Sequence, residues 1–242
     1  MHSKRTRLDR FISTHTQTHR KEVRLLLAQQ RIQVDGRIAT DIHQPVDEFS
    51  HIMFDGEVLQ ANTPSYIMMN KPIGVVSATK DTLHTTAIDL LNRPDRAHLH
   101  IAGRLDRFSS GLLLLTNDGR WSRSLSEPGF SVTKRYIVTV KHPITDDYIH
   151  AFSAGMFFAY ENITTRPATL HILDEHTAEI CLTEGRYHQI KRMFGRFRNP
   201  VLALHRIAIG NLALEATLNQ GEYRDLTALE VRTITQPEQN DH

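Results

Sequence analysis

The segment Gly103-Arg104-Leu105-Asp106-Arg107-Phe108-Ser109-Ser110-Gly111 places one carboxylate among cations in a loop bounded by glycines. Four leucines follow, then Thr116-Asn117-Asp118-Gly119. Such an apolar run reads as a buried strand, so the loop delivers Asp106 to the edge of a core. An opposite charge within about 4–6 Å keeps a partly desolvated carboxylate ionised, available as nucleophile or base. A lone loop aspartate usually caps a turn; here the length of the surrounding pattern favours chemistry. Cations come from Glu184-Gly185-Arg186-Tyr187-His188-Gln189-Ile190-Lys191-Arg192-Met193-Phe194. A glycine opens a short basic helix there, its N-terminus suited to a phosphate, and one of its cations can pair with Asp106. Lys134-Arg135-Tyr136 opens a strand, where an aromatic more often packs within a sheet than performs a function.

Taken together, these three segments resemble the motifs of the RsuA-type pseudouridine synthases. Asn70-Lys71-Pro72-Ile73-Gly74 and Gly221-Glu222-Tyr223-Arg224-Asp225-Leu226-Thr227 extend the match. Arg7–Ile12, Arg20–Val23 and Arg31–Gly36 resemble the ribosomal S-four-type RNA-binding domain. The resemblance runs in order from Arg7 to Val231. It implies isomerisation of a uridine in structured RNA, breaking N1–C1′ and rejoining the sugar at C5. Asp106 falls on the catalytic aspartate, and either attacks C1′ or removes a ribose proton to give a glycal. Tyr136 falls on the aromatic that stacks on the base and is a candidate for taking the C5 proton. Lys191 falls on the basic partner of the aspartate, and Ile190 on the apolar pocket wall. Arg104 matches an arginine that fills the gap left by the flipped base. Further RNA contacts are expected at Lys71, Arg107, Arg186, His188, Gln189 and Arg192, and in the N-terminal part at Arg7, Arg20, Lys21, Arg24 and Arg31.

The same resemblance implies no cofactor and no metal, because no electron is transferred and no group imported. The expected partner is ribosomal RNA, in the first place small-subunit (16S) RNA, naked or in a partly assembled subunit. Large-subunit RNA, or a catalytically silent assembly factor, are the alternatives. The chain departs from the family at Arg107-Phe108-Ser109-Ser110, where many relatives are acidic or threonine-rich. Lys191 stands where many carry arginine; a point charge pairs more loosely than a bidentate fork. A glycoside hydrolase would need a second carboxylate across the bond, and none is offered.

The elements that must hold these residues read as an α+β protein with a mixed, mainly antiparallel catalytic sheet and a small N-terminal α/β RNA-binding domain. Leu8, Phe11 and Ile12, then Val23, Leu26 and Leu27, predict two amphipathic helices, the second capped by Thr18. Ile32 and Val34 lead to an Asp35-Gly36 hairpin turn, and Ile52–Phe54 to Asp55-Gly56. Strands are expected at 66–70, 111–116, 136–140, 168–173, 178–183 and 201–209, and helices at 86–91, 121–125, 146–152 and 187–197. The domain limits are then 1–60, a linker at 61–65, a catalytic domain at 66–233 and a polar tail at 234–242.

Charge is uneven along a chain of net charge +2. Nine Lys/Arg against three acids in residues 1–37 leave a local balance of +6. A second cluster comprises Arg186, Lys191, Arg192, Arg196, Arg198 and Arg206. Two basic patches suit a polyanion touched in two places. With 242 residues, 40% of them hydrophobic, the chain needs no disulfide staple. Its single cysteine, Cys181, fits a reducing, cytoplasmic compartment and a packing role; a monomer is the default expectation, since the RNA supplies the second surface. No apolar run approaches a membrane span, which excludes a membrane partner. His15/His19 and His98/His100 lack the context of metal sites.

Overall fold

A computed structural model describes residues 5–236; Lys4 of the first basic patch and residues 237–242 of the expected tail lie outside the described residues. The chain divides into two compact units: one running to Pro64 and including Asp118–Arg120, the other comprising Ser65–Asn117 and the chain from Trp121 onward.

In the first unit the order is β1 (Thr6–Arg7), α1 (Leu8–Thr16), α2 (Arg20–Ala28), β2 (Ile32–Val34), β3 (Arg37–Ile38), β4 (Pro45–Val46), β5 (Ile52–Phe54) and β6 (Glu57–Gln60). β3-β2-β5-β6 form an antiparallel sheet. Leu8, Phe11 and Ile12 of α1 meet Val23, Leu26 and Leu27 of α2 and the inward Ile32, Val34 and Ile52. Both Asp-Gly turns take positive φ at each residue, the handedness that matches a hairpin's twist. The second helix does not use Thr18 as its cap. Gln17 turns left-handed to end α1, so the next helix starts later, with the His19 ring accepting from the Lys21 amide.

The second unit contains β7 (Tyr66–Lys71), β8 (His100–Ala102), β9 (Ser110–Thr116), α3 (Gly119–Ser126) from Trp121 onward, β10 (Lys134–Val140), α4 (Asp146–Ala154), β11 (Phe157–Phe158), β12 (Ile163–Thr164), β13 (Thr169–Ile172), β14 (Thr177–Leu182), α5 (Gln189–Gly195), β15 (Val201–Ile209), β16 (Leu212–Ala213), β17 (Tyr223–Asp225) and α6 (Ala228–Thr233). Among the described residues its main sheet runs β13-β14-β10-β15-β9-β7-β17, antiparallel except where β15 lies parallel to β9. β9 is buried throughout, because Leu113 and Leu115 join one core while Leu112 and Leu114 join another on the opposite face. That is why four consecutive leucines are tolerated.

Two strands share one edge of β9. β15 pairs with Ser110–Gly111 at its start and β8 with Leu114–Thr116 at its end, so the ladder parts between them. The loop joining β8 to β9 carries Asp106 out of this parting. Gly111 sits where β15 comes closest: its φ is +102°, and a Cβ there would lie 2.3 Å from the Arg206 carbonyl oxygen.

The stretch 86–91 is not the expected helix. Thr86 and Asp89 cap each other in a single turn, closed by Leu91, and Pro94 then forces Arg93 into an extended conformation. The other helices occur, the last trimmed to Gln189–Gly195 because His188 takes a left-handed conformation. No helix among the described residues is long and apolar enough to cross a membrane.

Candidate active site

The Asp106 loop is tied down from beneath. Gly74 donates to the Arg107 carbonyl (2.8 Å), and Ser77 both donates to the Leu105 carbonyl (2.8 Å) and accepts from the Leu105 amide (3.1 Å). The Lys71 ammonium donates to the carbonyls of Ser109 (2.7 Å) and Pro72 (2.9 Å). Lys71 was expected to touch RNA; it is instead fully buried, at 0% exposure. Standing last in the buried run of β7, it continues the strand's inward burial and its ammonium serves the loop carbonyls. Burial pushes its pKa down to about 8; the Asp106 charge opposes that shift, and Arg206 adds to it.

By sequence Arg206 belongs to the second basic patch. The structure removes it from the surface: it is 1% exposed on an inward position of β15. Its guanidinium occupies the parting of the sheet, donating to the carbonyls of Leu112 (2.7 Å) and Gly103 (2.9 Å), with the Tyr136 hydroxyl at 3.5 Å. Beside it, burial and the Arg206 charge push Lys134 down to about 8. The one signal for Arg206 was a cation at an inward position of an otherwise apolar alternation.

Asp106 itself is half-buried and lines an open cleft. One carboxylate oxygen lies 3.3 Å from the Lys191 ammonium and the other 3.4 Å from His188 Nε2. The pairing comes from α5, whose Ile190, Met193 and Phe194 are buried in the core and thereby aim Lys191 outward. Tyr136 and Ile190 line the same cleft, as do Arg104 and Arg186 at its rim. The structure thus brings together Asp106, Tyr136, Lys191, His188, Ile190 and Arg104.

Other expected contacts are occupied within the protein. Gln189 is buried: its side chain donates to Glu184 (2.8 Å) and accepts from the Arg186 amide (3.0 Å), fixing the turn that starts α5. It also lines the cleft with Asp106. Buried Glu184 also takes Arg186 (3.0 Å) and the Arg166 amide (2.9 Å). Arg192 makes a two-point pair with Glu161 (2.5 and 2.6 Å) and lies over the Phe158 ring. Arg107 bonds the Gly74 carbonyl (3.2 Å) and the His84 ring (2.7 Å), yet remains exposed. In the first unit Arg7 and Arg20 neutralise buried Asp9, and Arg31 grips Asp55 at 2.5 and 2.7 Å. Lys21 and Arg24 stay exposed on α2.

A carboxylate held between an ammonium and an imidazole ring, beside a buried aromatic and an apolar wall, can attack or deprotonate a sugar carbon under a flat base. Residues 65–195 match the family model described as RNA pseudouridylate synthase. A ribosomal small subunit pseudouridine synthase A from Pseudomonas aeruginosa is 44% identical over 229 residues, covering 94% of this chain and 100% of that one. The protein of that name from Escherichia coli is 38% identical, covering 94% and 99%. A crystal structure of a pseudouridylate synthase superposes with a TM-score of 0.69 at 36% identity, covering 94% and 99%.

Proposed function

The chain belongs to the RNA pseudouridylate synthase family, and on that premise we propose that it isomerises one uridine of small-subunit ribosomal RNA to pseudouridine. The substrate follows from relatives named for the ribosomal small subunit that span nearly the whole chain. The observation supporting the site is the convergence of Asp106, Lys191 and Tyr136 in one cleft.

Cleaving N1–C1′ leaves the electron pair on uracil and an electron-poor sugar carbon. Asp106, held beside the Lys191 ammonium and the His188 ring, either bonds to C1′ and leaves again when C5 attacks, or takes the C2′ proton and returns it. In both routes C5 gains the sugar and loses its proton, for which the Tyr136 hydroxyl is a candidate acceptor. The uridine must leave its stack, which costs a few kcal/mol. Stacking on Tyr136 returns about 1–3 kcal/mol, and phosphate contacts supply the rest. Arg104, which lines the cleft, is read as filling the gap in the stack, and Arg107 and Arg186 as meeting the flanking phosphates.

The N-terminal unit adds Lys21 and Arg24 as RNA contacts. The test is a map of pseudouridine in ribosomal RNA taken from cells lacking the protein, after incubation with wild type or Asp106→Asn. Naked RNA and partly assembled subunits should both be used. One new small-subunit site, absent with the variant, is expected. A large-subunit site would overturn the substrate, and no site with RNA binding intact would overturn the activity.

A further inference from the structure

Ser109 follows Asp106 by three residues, and its amide donates to the Asp106 carbonyl (3.0 Å). Its own carbonyl receives the Lys71 ammonium, so its backbone is fixed on both sides. The residue is 1% exposed and lines the cleft with Asp106 and Tyr136. Its hydroxyl has no hydrogen-bond partner in the structure. Next door the contrast is plain, since the Ser110 hydroxyl meets the His205 ring at 2.9 Å. A buried hydroxyl left unpaired destabilises a fold, and native proteins hold few of them. An alanine would remove that penalty and sit in the same turn.

We propose that the Ser109 hydroxyl hydrogen-bonds the uridine nucleotide held in the cleft, which makes Ser109 a substrate-contacting residue. This rests on the reading that the cleft takes a uridine. A hydroxyl both donates and accepts, so it matches the carbonyls and N–H of uracil and the hydroxyls of ribose alike. Because the backbone is pinned under the Asp106 loop, the contact ties the nucleotide to the carboxylate that acts on it.

The experiment pairs two measurements on wild type, Ser109→Ala and Ser109→Thr: single-turnover pseudouridine formation, and thermal unfolding of the free protein. Ser109→Ala should lose about tenfold in rate, the usual effect of deleting one neutral hydrogen bond to substrate. Its Tm should be equal to or above that of wild type, because an unpaired group has been removed. Ser109→Thr, which keeps the hydroxyl, should recover most of the rate. An unchanged rate in Ser109→Ala would overturn the proposal. So would a rate loss matched by a lower Tm, which marks a hydroxyl that merely supports the loop. If wild type itself forms no pseudouridine on any ribosomal RNA, the functional reading falls and this contact with it.

Discussion

Asp106 and Lys71 show how one loop uses two charges differently. Asp106 faces the cleft with the Lys191 ammonium on one oxygen and the His188 ring on the other, whereas Lys71 lies beneath and spends its donors on backbone carbonyls. With a pKa near 8 against an ordinary 10.5, Lys71 loses its proton in the native state well before the unfolded chain does. Between those values the unfolded state binds more protons, so this group's contribution to stability rises with pH. Over the same window the loop loses a charged donor, so activity should fall. Rate and Tm contribution are therefore expected to slope in opposite directions above about pH 8. In Lys71→Met the rate should be lower and its alkaline fall shallower, as pH–rate profiles and melting curves of both proteins would reveal.

The element that matters most is the split edge of β9. Arg206 satisfies carbonyls where β15 and β8 diverge, and Gly111 permits the close approach that starts the split. Arg206→Met should strand the Leu112 and Gly103 carbonyls and cost about 3 kcal/mol, with kcat falling because the Asp106 loop loses its support. Chemical denaturation and steady-state kinetics on the same sample would check both parts. Gly111→Ala should cost about 3 kcal/mol or more, since a backbone clash adds to an unfavourable φ. A denaturation midpoint within error of wild type would contradict that. Helix α5 is the complementary element, its apolar face packed so that Lys191 projects toward Asp106.

At the scale of the molecule, each unit has its own core and its own set of cations. Arg7, Arg20, Arg31 and Arg192 are tied to internal acids, so the charge left for phosphates is smaller than composition suggests. Replacing Lys21 and Arg24 with glutamine should weaken RNA binding and flatten its salt dependence by roughly 0.7–0.9 log units per lost contact. Asp106→Asn should leave both unchanged, and titrations at several salt concentrations separate the two classes. The sequence alone determined what depends on local order: the positions of the main strands, α5 and the two Asp-Gly hairpins. Those follow from periodicity, turn chemistry and a long ordered motif, all properties of neighbours along the chain. Tertiary structure decided which charges face solvent. Lys71, Gln189 and Arg206 carry polar side chains that strand and cap geometry turn inward, and each is kept there by carbonyls or a carboxylate that the sequence does not place beside it. Burial is a property of the packed sheet, since a cation's cost inside depends on partners up to 103 residues away.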